Sequence, residues 1–353
     1  MQTTRATYRP GTINPTAAAY LLVLGNGYCR TQLLAVAARL GVADALVDGP
    51  RSAQELASTT GAKEEPLRRV MRALVALGVF GEMEDGRFEL TDASQPMRTD
   101  VPGSVRNALI VFGEDNYQPV GHLLHALRTG DVPFDNVYGR TYYEWLSDNP
   151  EASATFAAAM AELSTLEVSE ALAAYDFSSI GTLVDIGGGN GHFVAGVLRA
   201  NPELRGVLVD LPAAVVGAAD LLARHGVADR CEVVAGDFFR EVPAGHDAYV
   251  LKRVLHNWDD GTSTGILTSC RRALAGDGRV IVIERMLPQR MFPAPMNEIA
   301  VQMDTVLMAK HTGRTRTEAE FRRLFDASGF ELSDRRTTPA GFSILEARPT
   351  SGI

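Results

Sequence analysis

The sequence predicts an α/β fold in which helices cover both faces of a mostly parallel β-sheet, with a mostly helical region in front of it. Three observations carry this prediction. From residue 182 onward, short apolar segments alternate with helical ones, a glycine run follows the first apolar segment, and acidic residues end the next two. Nearly continuous apolar strands that alternate with helices are typical of a parallel sheet buried on both faces.

The chain opens with a predicted leader and two apolar helices. Residues 1–15 have no apolar signal core behind their arginines, and we expect them to be flexible. Apolar residues then recur at helical spacing over Ala17–Leu24 and Thr31–Leu46, and Gly41 marks a break. Because these helices are apolar on more faces than a monomer can bury, we expect an intertwined homodimer.

A winged-helix pattern comes next. Ser52 and Glu55 form a capping-box pair that opens a short helix, a second amphipathic helix follows, and Asp85-Gly86 predicts the turn of a small hairpin. Winged-helix modules often bind DNA, but residues 51–90 contain six Lys or Arg and seven Asp or Glu. Since a DNA-reading face is basic, we predict a packing or dimerisation surface instead.

Residues 104–175 are predicted to be mostly helical, with a break at residues 130–133, and they are rich in aromatic side chains. Most of these rings are expected to pack in the core. Any ring that lines a pocket favours a flat, aromatic ligand. Phe112, Tyr142 and Phe156 are the candidates for this role.

Five strands and a closing hairpin are predicted in the remainder, so that a seven-stranded sheet ends in an antiparallel pair. The strands are Thr182–Ile186, Gly206–Asp210, Cys231–Ala235, Ala248–Lys252 and Arg279–Ile283, the hairpin joins Glu331–Thr337 to Phe342–Glu346, and helices begin near Gly191, Pro212, Ser263 and Thr317. The expected division of the chain is therefore 1–103, 104–175 and 176–353.

Composition narrows the class of protein. The 353 residues carry a net charge of −9, which disfavours nucleic acid and anionic lipid as partners. The three cysteines are widely separated and odd in number, which argues against a disulfide framework or a zinc site, and we expect them to be small buried residues. No apolar run reaches the roughly 18 residues that span a bilayer, so we expect a cytoplasmic protein.

The glycine run and two acidic residues describe a nucleoside site. The run Gly187–Gly191 forms a turn without side chains that would block a ligand. Asp210 ends the second strand, where it can accept hydrogen bonds from ribose hydroxyls. Asp237 and Phe238 follow the third strand and suit an adenine ring. These groups meet at the carboxyl edge of a parallel sheet.

The spacing of the glycines narrows the choice of nucleoside. The dinucleotide fingerprint needs glycine at its first, third and sixth positions. Counted from Gly187 the sixth residue is His192, and counted from Gly189 it is Val194. No GxxxxGK[ST] phosphate loop occurs either. S-adenosylmethionine, a nucleoside without phosphate, fits this pattern better than a dinucleotide or a triphosphate.

A candidate general base lies at the same edge. His256 directly follows the fourth predicted strand, and Glu284 ends the fifth. An imidazole can take a proton near neutral pH, and a neighbouring carboxylate could hold its other N–H. We predict that Glu284 orients His256; the alternative is an ordinary loop histidine.

The chain resembles the family of S-adenosylmethionine-dependent small-molecule O-methyltransferases, which includes plant caffeic acid and flavonoid enzymes and bacterial anthracycline, mitomycin and phenazine enzymes. The resemblance covers nearly the whole chain. The segments that carry it are Phe156-Ala157-Ala158-Ala159-Met160, Val184–Gly191, Asp210-Leu211-Pro212, Gly236-Asp237-Phe238, Lys252–Asp260, Gly276–Glu284 and Gly313–Thr317. It implies a Rossmann-like methyltransferase domain behind a winged-helix dimerisation domain.

The resemblance also implies residue roles. Cofactor contacts fall on Gly187, Gly189, Asp210, Leu211, Asp237, Phe238, Lys252 and Trp258, with Ser164 near the methionine end. The acceptor ring is held by Met160, Met303 and Leu307 together with the three aromatic candidates above. His256 is the general base and Glu284 its orienting acid, and no metal is needed.

One position departs from the plant pattern. The plant Gly-x-Glu-Arg-Thr segment here reads Gly313-Arg314-Thr315-Arg316-Thr317, so Thr315 replaces a second acid near the histidine. His311 is expected to face the pocket. The leading reaction is O-methylation of an aromatic or polyketide-type metabolite. N-methylation of a heteroaromatic such as a phenazine, a non-methylating hydroxylation or pericyclic reaction, and a ligand-sensing regulator stay open.

Overall fold

The computed structural model describes residues 15–99 and 101–350. The chain divides into two compact units, Met1–Thr99 and Asp100–Ile353. The predicted flexible leader falls almost entirely on residues 1–14, outside the described residues. No helix among the described residues is both long and apolar enough to cross a membrane.

The first unit consists of helices followed by a small antiparallel hairpin. Its elements are α1 (Pro15–Gly25), α2 (Gly27–Arg39), α3 (Val42–Ala45), α4 (Ala53–Thr60), α5 (Glu64–Ala76), β1 (Phe80–Glu82) and β2 (Phe88–Leu90), followed by a 3₁₀ turn at Gln95–Met97. The capping box of Ser52 and Glu55 is formed at the start of α4. Gly41, at φ 66°, separates α2 from α3 as predicted.

Helix α1 leaves its apolar residues uncovered within its own unit. None of its residues is buried, and Leu21 and Leu22 are 64% and 69% exposed. Tyr28 in α2 is also more than half exposed. A contiguous apolar surface of this kind marks an interaction site.

The second unit begins with helices and continues into the sheet. The helices before the sheet are α6 (Arg106–Gly113), α7 (Tyr117–Gly121), α8 (Leu123–Thr129), α9 (Pro133–Tyr138), α10 (Tyr142–Asp148) and α11 (Pro150–Ala174). The strands are β3 (Thr182–Ile186), β4 (Arg205–Asp210), β5 (Cys231–Ala235), β6 (His246–Lys252), β7 (Leu274–Leu287), β8 (Arg316–Thr317), β9 (Phe330–Thr337) and β10 (Phe342–Pro349). The helices between them are α12 (His192–Ala200), α13 (Ala218–Arg224), α14 (Asp260–Ala273), α15 (Pro295–Lys310) and α16 (Glu318–Ala327), with 3₁₀ turns at Ala228–Arg230 and Leu255–Asn257.

The sheet has the order β5-β4-β3-β6-β7-β10-β9, and the short β8 pairs with β7. Strands β3 to β8 pair in parallel, whereas β9 and β10 are antiparallel. The predicted fold class, a mostly parallel seven-stranded sheet with a closing antiparallel hairpin, is confirmed. The eighth strand, β8, is an addition of two residues that the sequence pattern did not reveal.

Both faces of the sheet are buried. Leu183, Leu208 and Val250 pack on one face with residues of α12 and α13. Val184 and Tyr249 pack on the other face with residues of α14 and α16. Since polar ligands are excluded from these faces, they can bind only at the ends of the strands.

The helix expected near Pro212 begins later. Leu211 to Val216 form turns in which the Ala214 N–H donates to the Leu211 carbonyl, and Gly217, at φ 81°, caps a helix that starts at Ala218. The turn keeps the chain at the sheet edge for six residues before the helix begins.

The expectation of three buried cysteines is right only for Cys270. Cys231 is half-buried and Cys29 is exposed. Cys231 begins β5, the edge strand of the sheet, and Cys29 lies near the start of α2, whose buried residues are all in its second half.

Candidate active site

Strand β3 opens into a glycine loop with little room for side chains. Gly187 and Gly189 have φ angles of 68° and 60°, which glycine adopts without steric cost. A Cβ atom on Gly188 would lie 2.5 Å from Oδ2 of Asp185. A Cβ on Gly189 would meet no heavy atom within 4 Å, so this glycine borders open space. The loop therefore offers bare backbone to a ligand.

Asp210 ends β4 beside this loop. Its Oδ2 accepts the Gly189 N–H at 2.8 Å, and its Oδ1 accepts the Leu211 N–H at 2.7 Å. Burial raises the pKa of Asp210. A carboxylate has about four acceptor positions, so Asp210 retains positions for the two hydroxyls of a ribose. The side chain of Leu211 is 48% exposed, so its link to the site runs through the backbone amide.

Asp185 is a buried carboxylate that sequence reasoning did not select. Its side chain is 1% exposed, and neither oxygen receives a hydrogen bond from residues 15–99 or 101–350, although the Val194 amide lies nearby. Burial raises its pKa to about 7. A buried polar group without a partner is costly, and a donor group on a ligand in the glycine loop would relieve that cost.

An aromatic wall stands next to the loop. Phe238 lies 3.6 Å from the Cβ position of Gly187. Its neighbour Phe239 makes an edge-on contact with Trp258 at 4.8 Å between ring centroids. Asp237 accepts the Phe239 N–H at 2.9 Å and so shapes the turn after β5. The predicted adenine contacts are thus brought together beside the glycine loop.

Lys252, at the end of β6, is fixed by an acid from α11. Glu167 accepts from Nζ of Lys252 at 2.8 Å and from the Arg253 guanidinium at 3.0 Å, and it is 8% exposed. Arg253 has φ 59°, the left-handed region that side chains rarely adopt. The predicted Ser164 lies one turn earlier on α11 and is also buried. Glu167 was missed because its partners are distant in sequence.

His256 lies in the 3₁₀ turn directly after this pair and is 7% exposed. Its backbone N–H donates to Oε1 of Glu284 at 2.9 Å. We expected the Glu284 carboxylate to bind the His256 imidazole. Instead, the 3₁₀ turn directs the His256 backbone amide toward β7, so that Glu284 binds the main chain of His256. Oε2 of Glu284 is buried without a partner.

The protonation states follow from burial. Burial, together with the charge of Arg253, lowers the pKa of His256 well below 6.5, so its imidazole is neutral at neutral pH. Burial raises the pKa of Glu284 to about 7. A neutral imidazole is the form that can accept a proton.

Residues 313–316 pack against the turn that carries His256. A Cβ on Gly313 would lie 2.0 Å from the His256 carbonyl oxygen, so only glycine fits there. The guanidinium of Arg316 is fully buried and donates to the carbonyls of Leu255 at 2.9 Å and Trp258 at 2.7 Å. Arg316 also pairs with Asp260. These contacts fix the backbone on both sides of His256.

Tyr142 contacts two other predicted acceptor residues. The Tyr142 ring lies 5.3 Å from that of Phe156 and 5.7 Å from that of His311. Tyr143, which was not predicted, lies 5.3 Å from His311 and 6.3 Å from Trp258. It thereby links the acceptor residues to the adenine wall.

The cluster also contains a buried lysine that was not predicted. Nζ of Lys310 lies 3.4 Å from the centre of the Tyr142 ring and donates to Oδ1 of Asn116 at 2.8 Å. Asp115 accepts from the Tyr142 hydroxyl at 2.6 Å. Burial lowers the pKa of Lys310 to about 7.

The other predicted acceptor residues lie on neighbouring helices. Met160 on α11 packs in the same small cluster as Phe156. Met303 and Leu307 are one turn apart on α15, the helix that leads to His311. Phe112 on α6 is 41% exposed. Among the described residues, no group of three or more His, Cys, Asp or Glu side chains is arranged to hold a metal ion.

Two family models match this chain. Residues 120–331 match an O-methyltransferase domain, and residues 22–100 match an O-methyltransferase dimerisation domain. The chain belongs to the O-methyltransferase family. It is an S-adenosylmethionine-dependent enzyme, as the resemblance predicted.

Named relatives agree with this assignment. The phenazine O-methyltransferase PhzM of Lysobacter antibioticus is 41% identical over 329 residues, which cover 93% of this chain and 95% of that protein. The O-demethylpuromycin-O-methyltransferase of Streptomyces alboniger is 39% identical over 338 residues, covering 93% and 88%. The structure of NcsB1, an O-methyltransferase from neocarzinostatin biosynthesis in complex with S-adenosylmethionine and 2-hydroxy-5-methyl naphthoic acid, has a TM-score of 0.78 and 31% identity, covering 96% and 100%.

The residues present suit S-adenosylmethionine. The glycine loop leaves open space next to the unpaired carboxylate of Asp185, which can accept from an ammonium group. Asp210 keeps acceptor positions for a ribose, and the Phe238 wall provides apolar surface for a base.

Proposed function

We propose that this O-methyltransferase methylates a hydroxyl of a flat aromatic or polyketide-type secondary metabolite, with His256 as the general base. The observation that carries the proposal is the position of His256. It is buried and neutral, it follows β6 at the edge where the cofactor groups lie, and His311 of the aromatic cluster is near enough to affect its pKa.

The residues have distinct tasks in this proposal. Bound S-adenosylmethionine supplies an activated methyl group. Tyr142, Phe156 and His311 hold the acceptor ring, and His256 takes the hydroxyl proton as the oxygen attacks. Glu284 and Arg316 keep the turn that carries His256 in place through its backbone. Positioning of reactants can supply several kcal/mol, and proton removal adds roughly two to four orders of magnitude in rate.

Two other reactions remain in the proposal as alternatives. N-methylation of a heteroaromatic such as a phenazine would use the same cofactor groups without needing a base. A non-methylating hydroxylation or pericyclic step is kept as an alternative because Thr315 stands where the similar plant segment has an acid. The three regions 1–103, 104–175 and 176–353 stay our proposed functional division, in which the middle one shapes the acceptor pocket.

We also propose that the enzyme acts as a homodimer in the cytoplasm. The match to a dimerisation domain and the exposed apolar residues of α1 support the dimer. A net charge of −9 supports a small-molecule acceptor rather than a nucleic acid.

The test is mass spectrometry of an aromatic library incubated with the enzyme and S-adenosylmethionine. Methylated phenols with equal amounts of S-adenosylhomocysteine would support O-methylation. Methylation confined to ring nitrogens would favour the first alternative. A changed product without S-adenosylhomocysteine would favour the non-methylating reaction and sink the main proposal.

A further inference from the structure

The ring of His256 forms no ion pair with an acid in the part of the chain that the structure describes. Among the described residues, no carboxylate oxygen lies within 4.0 Å of its ring nitrogens. Glu284 accepts a hydrogen bond from His256, but the donor is the backbone amide of His256 and not its ring. A buried imidazolium without a carboxylate partner is strongly disfavoured.

Glu284 is also a weak source of negative charge. Its Oε2 is buried without a partner, and burial raises its pKa to about 7. Near neutral pH a large share of this carboxyl group is therefore protonated. It can accept the His256 amide in either state, but as a neutral group it does little to stabilise a charge on the ring.

Thr315 lies in the segment whose neighbouring residues hold the turn of His256. It is 3% exposed, its N–H donates to Asp304 at 2.7 Å, and its hydroxyl oxygen is buried without a partner. Its neighbours Gly313 and Arg316 both contact the turn that carries His256. A longer acidic side chain at 315 would therefore start from a backbone already held against that turn.

The remaining charged groups around His256 are mainly cationic. Lys252 and Arg253 approach from the end of β6, and Arg316 lies in β8. His311 follows α15 and is itself neutral, because burial lowers its pKa to about 3. The acids near these cations have partners of their own: Glu167 binds Lys252 and Arg253, and Asp260 binds Arg316. Asp304 accepts the Thr315 N–H. After burial, these cations are the groups that lower the pKa of His256.

We propose that this enzyme selects acidic hydroxyls, namely phenols or enols conjugated with a carbonyl, carboxyl, nitro or fused heteroaromatic group, and that Thr315 is the residue that determines this selectivity. The proposal rests on the proposed function and deepens it. A base whose charged form is not stabilised removes a proton efficiently only from an acidic donor.

In the proposed step, the acceptor O–H proton passes to a ring nitrogen of His256, and an oxygen lone pair forms the new C–O bond. The S–C bond breaks with its electron pair on sulfur. The products are the methyl ether, S-adenosylhomocysteine and a protonated imidazole, which returns its proton to water.

The first test uses the wild-type enzyme and ring-substituted phenols of similar size. We expect kcat/KM at saturating S-adenosylmethionine to rise by at least about tenfold as the phenol pKa falls from about 10 to about 7. A flat or opposite dependence would overturn the proposal. Absence of methyl transfer to every phenol, including the most acidic, would instead overturn the proposed function.

The second test changes the position that sets the selectivity. Thr315→Glu adds an acid and Thr315→Gln adds similar bulk without charge. We expect Thr315→Glu to raise the pKa of His256 in a histidine NMR titration and to make kcat/KM depend less on the phenol pKa. Thr315→Gln is expected to keep the wild-type dependence of kcat/KM on the phenol pKa, even if its absolute rate changes. Equal behaviour of two folded variants would contradict the assignment to Thr315. If Thr315→Glu does not fold, the wild-type series and the wild-type His256 titration decide the proposal.

Discussion

At the scale of single residues, the activity of His256 is expected to fail only in acid. The base form is the neutral imidazole, and burial with nearby cations lowers its pKa well below 6.5. Activity is therefore lost as pH falls through this lowered pKa, so the acid limb of kcat/KM that belongs to His256 is expected well below pH 6.5. A His256 imidazole that titrates near 6.5 would mean that the histidine is not buried during catalysis.

Removal of the base gives the matching prediction. His256→Ala is expected to lower kcat by roughly two to four orders of magnitude, while the affinity for S-adenosylmethionine, measured by calorimetry, changes little. A near-wild-type rate would leave positioning as the whole mechanism.

Lys310 should make stability depend on pH. Its pKa is about 7 in the folded enzyme, against roughly 10.4 in an unfolded chain. Between these values the unfolded chain binds more protons, so stability rises with pH in this window, by a few kcal/mol in total. Lys310→Met is expected to reduce that slope, measured as the thermal midpoint from pH 7 to 10. The exposed Lys63 provides the control, since Lys63→Met should keep the slope.

Residues differ in how readily the sequence reveals them. His256 could be selected because it directly follows an apolar strand, and Asp210 because it ends one. Lys310 ends a helix and reads as a surface lysine; its burial arises because α15 packs against α7 and α9. Glu167 and Asp185 were missed for a similar reason. The ion pairs of Glu167 and the unpaired burial of Asp185 arise only when the chain folds.

At the scale of elements, two glycines should respond in opposite ways to alanine. A Cβ on Gly313 meets the backbone of His256 and Asn257 at 2.0 and 2.3 Å, so Gly313→Ala must shift the catalytic turn. A displacement of about 1 Å can cost about 100-fold in rate, and we expect a loss of that order in kcat/KM.

Gly265 in α14 is the matched control. No heavy atom lies within 4 Å of its Cβ position. Gly265→Ala is expected to keep activity and to stabilise the enzyme by about 0.5–1 kcal/mol through helix propensity, measured by urea unfolding. Equal activity of the two variants would show that Gly313 does not hold the turn.

Strand positions were predicted well because each apolar segment is bounded by polar residues or glycine. Strands β3 and β5 have the predicted bounds, and β4 begins one residue early. The start of α13 was not predicted, because the preceding turns depend on backbone hydrogen bonds rather than on an apolar pattern. β8 was missed because two residues carry no periodicity.

At the scale of the whole molecule, the exposed helix α1 predicts a dimer that charge should break. Leu22 and Leu24 are 69% and 52% exposed. The double change Leu22→Glu and Leu24→Glu is expected to yield monomers in size-exclusion chromatography with light scattering, because charged groups are costly to bury in an apolar interface. Val216→Glu, at a residue 76% exposed in the second unit, should leave the mass unchanged. A dimeric double variant would place the interface elsewhere.

The fold class could be predicted for the whole chain because alternation of strand and helix permits few topologies. The aromatic acceptor residues could be chosen as candidates from the sequence, whereas Met160, Met303 and Leu307 were named only by resemblance. Tyr142, Phe156 and His311 come from α10, α11 and the segment after α15, which share no pattern along the chain, and their contacts form when these helices pack.

Arg316 has a consequence for how such enzymes diversify. Its guanidinium satisfies two carbonyls, a serine hydroxyl and Asp260 at once, a fork of donors that lysine cannot reproduce. Because Arg316 and Gly313 keep the histidine turn in place, Thr315 between them can change without moving the base. Position 315 is therefore a site where mutation can alter acceptor preference in a single step while the fold and the cofactor site stay intact.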